Sequence, residues 1–177
     1  GAVKSVFENY DLSDSDGIIV IFGDTPLLKI KSIEKLSNSI DQDDLTIMAF
    51  DTDNPQGYGR IILKDNKLNS IVEEFNATDE DKNIKLCNGG VMALKNQNLV
   101  NYLGLLKNNN PKKELILSDM VEIINDHDGS SNFIKCEELE SFGVDTKIGL
   151  AKAEKEFQKR LREKFMSQGV TLLDPET

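Results

Sequence analysis

The chain is poor in the residues on which several chemistries depend. It has one histidine and two cysteines, and its 21 lysines and arginines are outnumbered by 31 aspartates and glutamates in 177 residues. A formal net charge of −10 excludes general nucleic-acid binding, which leaves a basic footprint. A local cationic pocket for a nucleotide is still compatible with an acidic whole. Cys87 and Cys136 stand far apart and neither has a CxxC partner. That excludes a disulfide framework and predicts two reduced, buried thiols on strands of a cytoplasmic protein. His127, in NDHDG, falls where a helix is expected to end and reads as a surface cap, not a catalytic group. The longest apolar runs, such as residues 17–23, are too short to cross a bilayer, so no membrane partner is expected. There is no internal repeat and no low-complexity segment. The opening GAVKSVFENY reads as the middle of a helix and not as a signal peptide, which predicts residues upstream of Gly1.

What is present alternates between strand and helix patterns, so an α/β fold with a largely parallel sheet is expected. GIIVIFGD and LTIMAFDTD read as buried strands. Between them Ile33, Leu36 and Ile40 recur at helical spacing over about residues 30–40. RIILKD and LNSIVEE pair as a hairpin across Asp65-Asn66-Lys67. ATDEDKNI is a loop or short helix, and IKLCNGGVMAL a strand interrupted by two glycines. Leu99, Leu103 and Leu106 predict a helix ending near Asn108-Asn109-Asn110. Ser118 is placed to cap a helix running to about Asn125, with Asp119 and Glu122 near its positive end. SNFIKCEE is a further strand. In the last helix Leu150, Ala153, Phe157, Leu161 and Phe165 share one face, while KRLREK reads as a solvated face.

In open α/β sheets ligands gather at the carboxyl ends of strands. That rule selects Asp24, which closes GIIVIFGD, with Gly23 beside it for close backbone approach. A carboxylate there suits Mg2+ bridging substrate phosphates, or it simply caps the turn at Thr25-Pro26. Residues 54–74, NPQGYGRIILKDNKLNSIVEE, place Gly57, Tyr58 and Gly59 at the mouth of the hairpin and two glutamates at its close. On residue types alone, Gly59 is a turn glycine and Glu73 a surface charge. Glu74 is expected on the solvent side, because strand neighbours face opposite ways.

Four motifs, taken in order, are more specific. VIFGDTPLL, DNPQGYGRI with IVEE, NNNPKKELILSD and GVTLLDPET resemble the uridylyltransferase domain of the bacterial bifunctional enzyme that makes UDP-N-acetylglucosamine, over nearly the whole chain. Gly-Asp-x-Pro alone recurs across sugar nucleotidyltransferases; the combination is what singles out this family. The resemblance implies a Rossmann-like nucleotide-diphospho-sugar transferase (GT-A-like) fold with a mixed, mostly parallel sheet that lacks its N-terminal strands. Residues 1–177 would form one partial nucleotidyltransferase domain, the acceptor-sugar half plus a C-terminal linking helix. In the family GVTLLDP marks the passage into a β-helix acetyltransferase domain, which is not in this chain.

The resemblance also implies roles. Asp24 matches a metal ligand and Asp145, in GVDTK, an asparagine that is the second ligand, with Mg2+ as cofactor. Gly59 matches a main-chain contact to the amino sugar, Glu73 a carboxylate on the sugar hydroxyls and Asn88 another sugar contact. Ser118 stands where the family often has threonine near the sugar phosphate. The implied reaction is attack of N-acetylglucosamine 1-phosphate on the α-phosphorus of UTP, with pyrophosphate leaving, in supply of cell-wall precursors. Such transfer needs alignment and positive charge more than a covalent catalyst, so no side chain is assigned as catalytic. The family's glycine-rich nucleotide loop is not in the chain, which predicts that these residues alone are inactive. Without that loop's strand, Ile18–Ile21 would lie on an open edge, which predicts a homo-oligomer formed through that edge or an upstream piece of chain that covers it. Asn88-Gly89-Gly90 in place of Asn-Thr-Gly, Glu-Phe-Asn after Glu73, and Leu115-Ile116 in place of two tyrosines leave open a different sugar or nucleotide. A non-catalytic remnant is the third possibility.

Overall fold

The computed structural model describes residues 2–108 and 113–176. Helix α1 spans Ala2–Asn9, in keeping with the helical reading of the first residues. Strand β1 (Gly17–Val20) follows, then α2 (Ile30–Ser39), β2 (Leu45–Asp51), β3 (Arg60–Lys64), β4 (Lys67–Val72) and β5 (Leu86–Lys95). The chain continues through α3 (Leu99–Leu105), α4 (Met120–Asp126), β6 (Ser131–Lys135) and α5 (Lys147–Ser167). ATDEDKNI resolves into short 3-10 turns at Glu74–Asn76 and Asp81–Asn83. Helix α3 ends at Leu105, short of the expected end near Asn108, and the motif residues 109–112 lie outside the described part of the chain.

Among the described residues the strands form one sheet in the order β4-β3-β5-β2-β6, with β1 also paired to β5. The α/β class is as expected, but the sheet is not mostly parallel. β5 runs antiparallel to β1, β2 and β3, and β3 to β4; only β2 and β6 are parallel. The alternating sequence pattern conceals this because strand direction depends on the connection, not on the strand's own residues. Asp65 and Asn66 both take positive φ, the geometry of a two-residue hairpin turn, which forces β3 and β4 antiparallel. Parallel pairing needs a long crossover, which the chain between β2 and β6 supplies.

β2 is buried over Leu45–Phe50 and is the spine of the core. On one sheet face Leu45, Ile47, Leu94, Leu99, Met120 and Ile124 pack together with α3 and α4. On the other, Met48, Val91 and Ala93 pack against Leu36 of α2. Each such aliphatic side chain contributes about 1.5–3 kcal/mol by leaving water. Asn125 of α4 donates to the carbonyls of Leu68 and Asn69, both at 3.0 Å, and ties the hairpin to this core.

Several local expectations are met and two are corrected. Cys87 is buried on β5 and Cys136 is half-buried just past β6, both as free thiols. His127 ends α4, its Nδ1 2.8 Å from the Ile123 carbonyl oxygen. Ser118, however, does not cap a helix. It lies in a 3-10 turn, Leu117–Asp119, that precedes α4, and its hydroxyl turns away toward the hairpin. The apolar stripe of α5 is buried only in part: Ala153 is buried, but Leu150 is 55% exposed, Phe157 50% and Phe165 47%. The helix docks through Gly149 and Ala153, small residues that permit close approach, and through Arg160, which donates to the Leu27 carbonyl at 2.6 Å.

β1 has β5 as its sole strand partner among the described residues. Beside it an apolar cavity of about 290 Å3 is lined by Val3, Val20, Leu103, Leu106 and Leu117, and Ile21 and Phe22 are exposed. Among the described residues no helix is long and apolar enough to cross a membrane.

This packing orders the cost of side-chain loss. Leu36→Ala, at a fully buried site, is expected to lower the unfolding free energy by about 2–5 kcal/mol. Leu150→Ala on the exposed stripe is expected to stay within about 0.5 kcal/mol. Urea melts of the two variants check the ranking.

Candidate functional site

A groove of about 350 Å3 opens where the end of β1, the mouth of the hairpin and the middle of β5 meet. Asp24, Gly59, Glu73 and Asn88 all line it, together with Tyr58 and Ser141. Four of the six residues singled out in the sequence are thus brought together. Ser118 reaches the site through Glu73, whereas Asp145 is exposed and is not among the groove's lining residues.

The hairpin wall begins with glycine chemistry. Gly57 takes φ +89°, a conformation side chains resist. At Gly59 an added Cβ would lie 2.9 Å from Ile71 Cγ2 and 3.4 Å from Glu73 Oε2, so glycine here keeps a narrow space open. The Asn88 N–H donates to the Gly59 carbonyl at 2.8 Å and joins the wall to β5. Tyr58 packs edge-on against Phe50, with ring centres 4.8 Å apart. Burial, with Glu138 nearby, pushes its hydroxyl above the usual tyrosine range.

Glu73 is oriented by Ser118, whose buried hydroxyl donates to Oε1 at 2.6 Å. That leaves Oε2 beside Gly59 to accept from a ligand. Asn88 is fixed in the same way: its Oδ1 accepts the Gly90 N–H at 3.0 Å, and its amide hydrogens can donate. β5 bulges here, since the register with β2 shifts between Ile47 and Ala49, and Gly90 takes φ +80°. The bulge re-aims the strand at the site.

Asp24 is held through its surroundings. Thr25 Oγ1 donates to the Phe22 carbonyl at 2.9 Å. Farther along, the buried Glu140 carboxylate accepts the Lys29 N–H at 3.0 Å and the Glu137 N–H at 3.2 Å, and Lys29 pairs with Glu137 at 2.5 Å. Lys29 holds the Glu137 carboxyl below its ordinary value. This network fixes residues 137–141 against the loop after β1. The Val144 N–H then donates to the Asp24 carbonyl at 2.8 Å, and a Cβ on Gly143 would lie 3.6 Å from Asp24 Oδ2. Asp145 is therefore one residue from a backbone bonded to Asp24. Both carboxylates are exposed, on segments of chain that this backbone bond joins. Among the described residues no group of three or more His, Cys, Asp or Glu side chains is placed to hold a metal ion.

Two functional-site residues escaped the sequence reading. Glu74 is not simply solvent-facing. Its Oε2 pairs with Arg60 Nη1 at 2.6 Å and accepts the Gly57 N–H at 3.1 Å. Arg60, then Gly57, hold its carboxyl below the usual range. The alternation rule fails because the strand ends at Val72 and Glu74 begins a 3-10 turn. Ser141, also missed, lies where a Cβ at Gly89 would fall, 2.5 Å from its Oγ.

No family model matches the chain. It is 39% identical over 163 residues to the bifunctional protein GlmU of Brucella anthropi, a match covering 92% of this chain and 36% of that protein. GlmU of Sinorhizobium fredii is 36% identical with the same coverage. The chain spans about a third of the length of the curated relatives it matches. Among solved structures, a Bacillus anthracis protein named as a glucose-1-phosphate thymidylyltransferase, in complex with sucrose, superposes with a TM-score of 0.58 at 15% identity. That match covers 99% of this chain and 63% of the other. HddC from Yersinia pseudotuberculosis gives 0.55 at 18% identity, covering 88% and 60%. The fold is shared with these proteins. At such identities the likeness establishes the mixed α/β architecture and nothing finer.

Asp119, next to Ser118, offers a test of the site's electrostatics. Burial, then Glu122 and Glu73, push its carboxyl above the ordinary value. A raised folded-state pKa favours the neutral acid, so its contribution to stability is complete at low pH and is lost as pH rises through the folded value. Asp119→Asn is expected to raise the unfolding midpoint at pH 7, a gain that fades as pH falls through the carboxylate range. Denaturant melts across that range check the sign.

Proposed function

We propose that the chain is the acceptor-sugar half of a cytoplasmic sugar-1-phosphate nucleotidyltransferase. In complete form this enzyme would transfer UMP from UTP to N-acetylglucosamine 1-phosphate and release pyrophosphate. The observation that carries the reading is the convergence of Asp24, Gly59, Glu73 and Asn88 on one groove. The identity with GlmU proteins over nearly all of this chain supports it.

In this reading the groove binds and orients; it does not supply a nucleophile. Glu73 Oε2 accepts from neighbouring sugar hydroxyls, with Ser118 locking its other oxygen. The open backbone at Gly59 lets the sugar lie against the main chain, and the Asn88 amide donates. Asp24 and Asp145 would hold Mg2+, which when bound offsets the charge of the phosphate oxygens. Ser118 positions Glu73 in this scheme. A second reading, the same chemistry on another sugar, is favoured by one observation. Ser141 Oγ fills the space that a side chain at Gly89 would need, so the groove floor is built differently from the Asn-Thr-Gly pattern.

The chain alone is expected to release no pyrophosphate above blank from UTP and N-acetylglucosamine 1-phosphate; robust turnover would refute this. Binding of UDP-N-acetylglucosamine with Mg2+, followed by calorimetry, is expected to weaken about tenfold or more in Glu73→Gln, since bonds to a charged acceptor contribute about 1.5–3 kcal/mol. Unchanged affinity would remove Glu73 from the ligand site. The β1 edge and its apolar cavity lead us to expect self-association. Light scattering at micromolar concentration should show a dimer or larger, and a monomer would contradict it.

A further inference from the structure

We infer that Arg60 and Glu74 form a latch that sets the ligand-facing edge of the groove at residues 57–59, making Glu74 a positioning residue for whatever binds there. The inference rests on the groove being the sugar site. It adds a role for a residue that does not itself line the groove.

The geometry is specific. Arg60 is 1% exposed and heads the fully buried side chains by size. Its Nη1 donates to the Tyr58 carbonyl and to Glu74 Oε2. The same Oε2 accepts the Gly57 N–H. One guanidinium nitrogen and one carboxylate oxygen therefore grip the backbone on both sides of Tyr58. The segment so held is conformationally demanding, with Gly57 at positive φ and no Cβ at Gly59. A loop of this kind does not keep one shape from its own preferences.

Glu73 and Glu74 divide the work at the end of β4. Glu73 points its free oxygen at Gly59, and Glu74 holds the loop that carries Gly59. The distance between the sugar acceptor and the backbone opposite is thereby set from one short segment. Glu74 sits at the rim, partly open to water, whereas Arg60 is sealed beneath it. Opening the pair would free the Gly57 N–H and the Tyr58 carbonyl together, so the loop would loosen as a unit.

Removing one partner of a buried pair leaves an uncompensated charge, while removing both is far milder. Glu74→Gln is therefore compared with Arg60→Met plus Glu74→Gln in the same chain. Readouts are thermal unfolding, amide hydrogen exchange, and calorimetric affinity for UDP-N-acetylglucosamine with Mg2+. Glu74→Gln is expected to speed exchange at Gly57 by about tenfold or more while β2 amides keep their protection, and to weaken the nucleotide sugar by about tenfold, the cost of a misplaced binding wall. The double variant is expected to recover the unfolding midpoint but neither Gly57 protection nor affinity. That split separates positioning from a merely structural role. Unchanged exchange at Gly57 in Glu74→Gln overturns the latch. Faster exchange with unchanged affinity overturns the positioning role. A wild-type chain that does not bind the nucleotide sugar overturns the sugar reading and the positioning role with it. A wild type that binds, beside a variant that binds equally well, overturns the inference alone.

Discussion

The groove depends on one seam. The β3–β4 hairpin meets the rest of the sheet through a single ladder pair, Arg60 with Cys87, followed by the Asn88 N–H to the Gly59 carbonyl. On one side of the seam lies the glycine loop, on the other the β5 bulge, and the ligand space lies between. A long, regular β3–β5 ladder would close that space with paired backbone. A seam of one pair holds the hairpin in register and lets the strands diverge immediately, so that Gly59 and Asn88 present backbone and side chain to a cavity. The Asn125 bonds to Leu68 and Asn69 anchor the far end of the hairpin, so the seam does not bear the whole load.

A buried arginine at such a seam is costly unless paired, because the interior cannot solvate it. Here the cost has a structural return. The cation draws in the Tyr58 carbonyl and Glu74, and through Glu74 the Gly57 N–H, converting a flexible glycine stretch into a defined wall. Arg60 also lies close enough to Cys87 to favour its thiolate, but burial dominates and the thiol stays above its ordinary value. The same logic recurs across the groove, where buried Glu140 collects two backbone N–H groups and fixes the chain that bonds to Asp24. Both walls are held by a buried charge that is not among the groove's lining residues.

Most elements were legible in the sequence because their signals are local. The 3.6-residue recurrence of Ile33, Leu36 and Ile40 and the Asp-Asn turn between two apolar runs report what a short segment does by itself. Strand direction, the docking face of α5 and the partner of Ser118 are not local. The α5 stripe satisfied every rule for a buried face. Of it only Ala153 is buried, next to Gly149, because the depth of helix docking depends on the surface opposite. For the site, Asp24, Gly59, Glu73 and Asn88 were found by motif, while Glu74 and Ser141 were not. Glu74 was assigned by strand alternation past the point where the strand stops. Ser141 matters only because β5 bulges toward it, and a bulge cannot be read from residue types.

Charge divides the groove into two chemical ends. Its lining carries Asp24 and Glu73, and no lysine or arginine is among its lining residues. Neutral sugar hydroxyls are suitable partners for Glu73, whose one free oxygen accepts without needing a cation. Phosphate groups are not suitable partners for bare carboxylates. They would be repelled at the Asp24 end unless a divalent ion intervened or cationic groups arrived from another segment. The acidic lining of the groove therefore constrains how the sugar phosphate of the proposed function could lie in it. On the proposed function the hydroxyl-bearing ring would lie between Gly59, Glu73 and Asn88 and the phosphate toward Asp24, where a divalent ion or cationic groups from another segment would have to offset its charge.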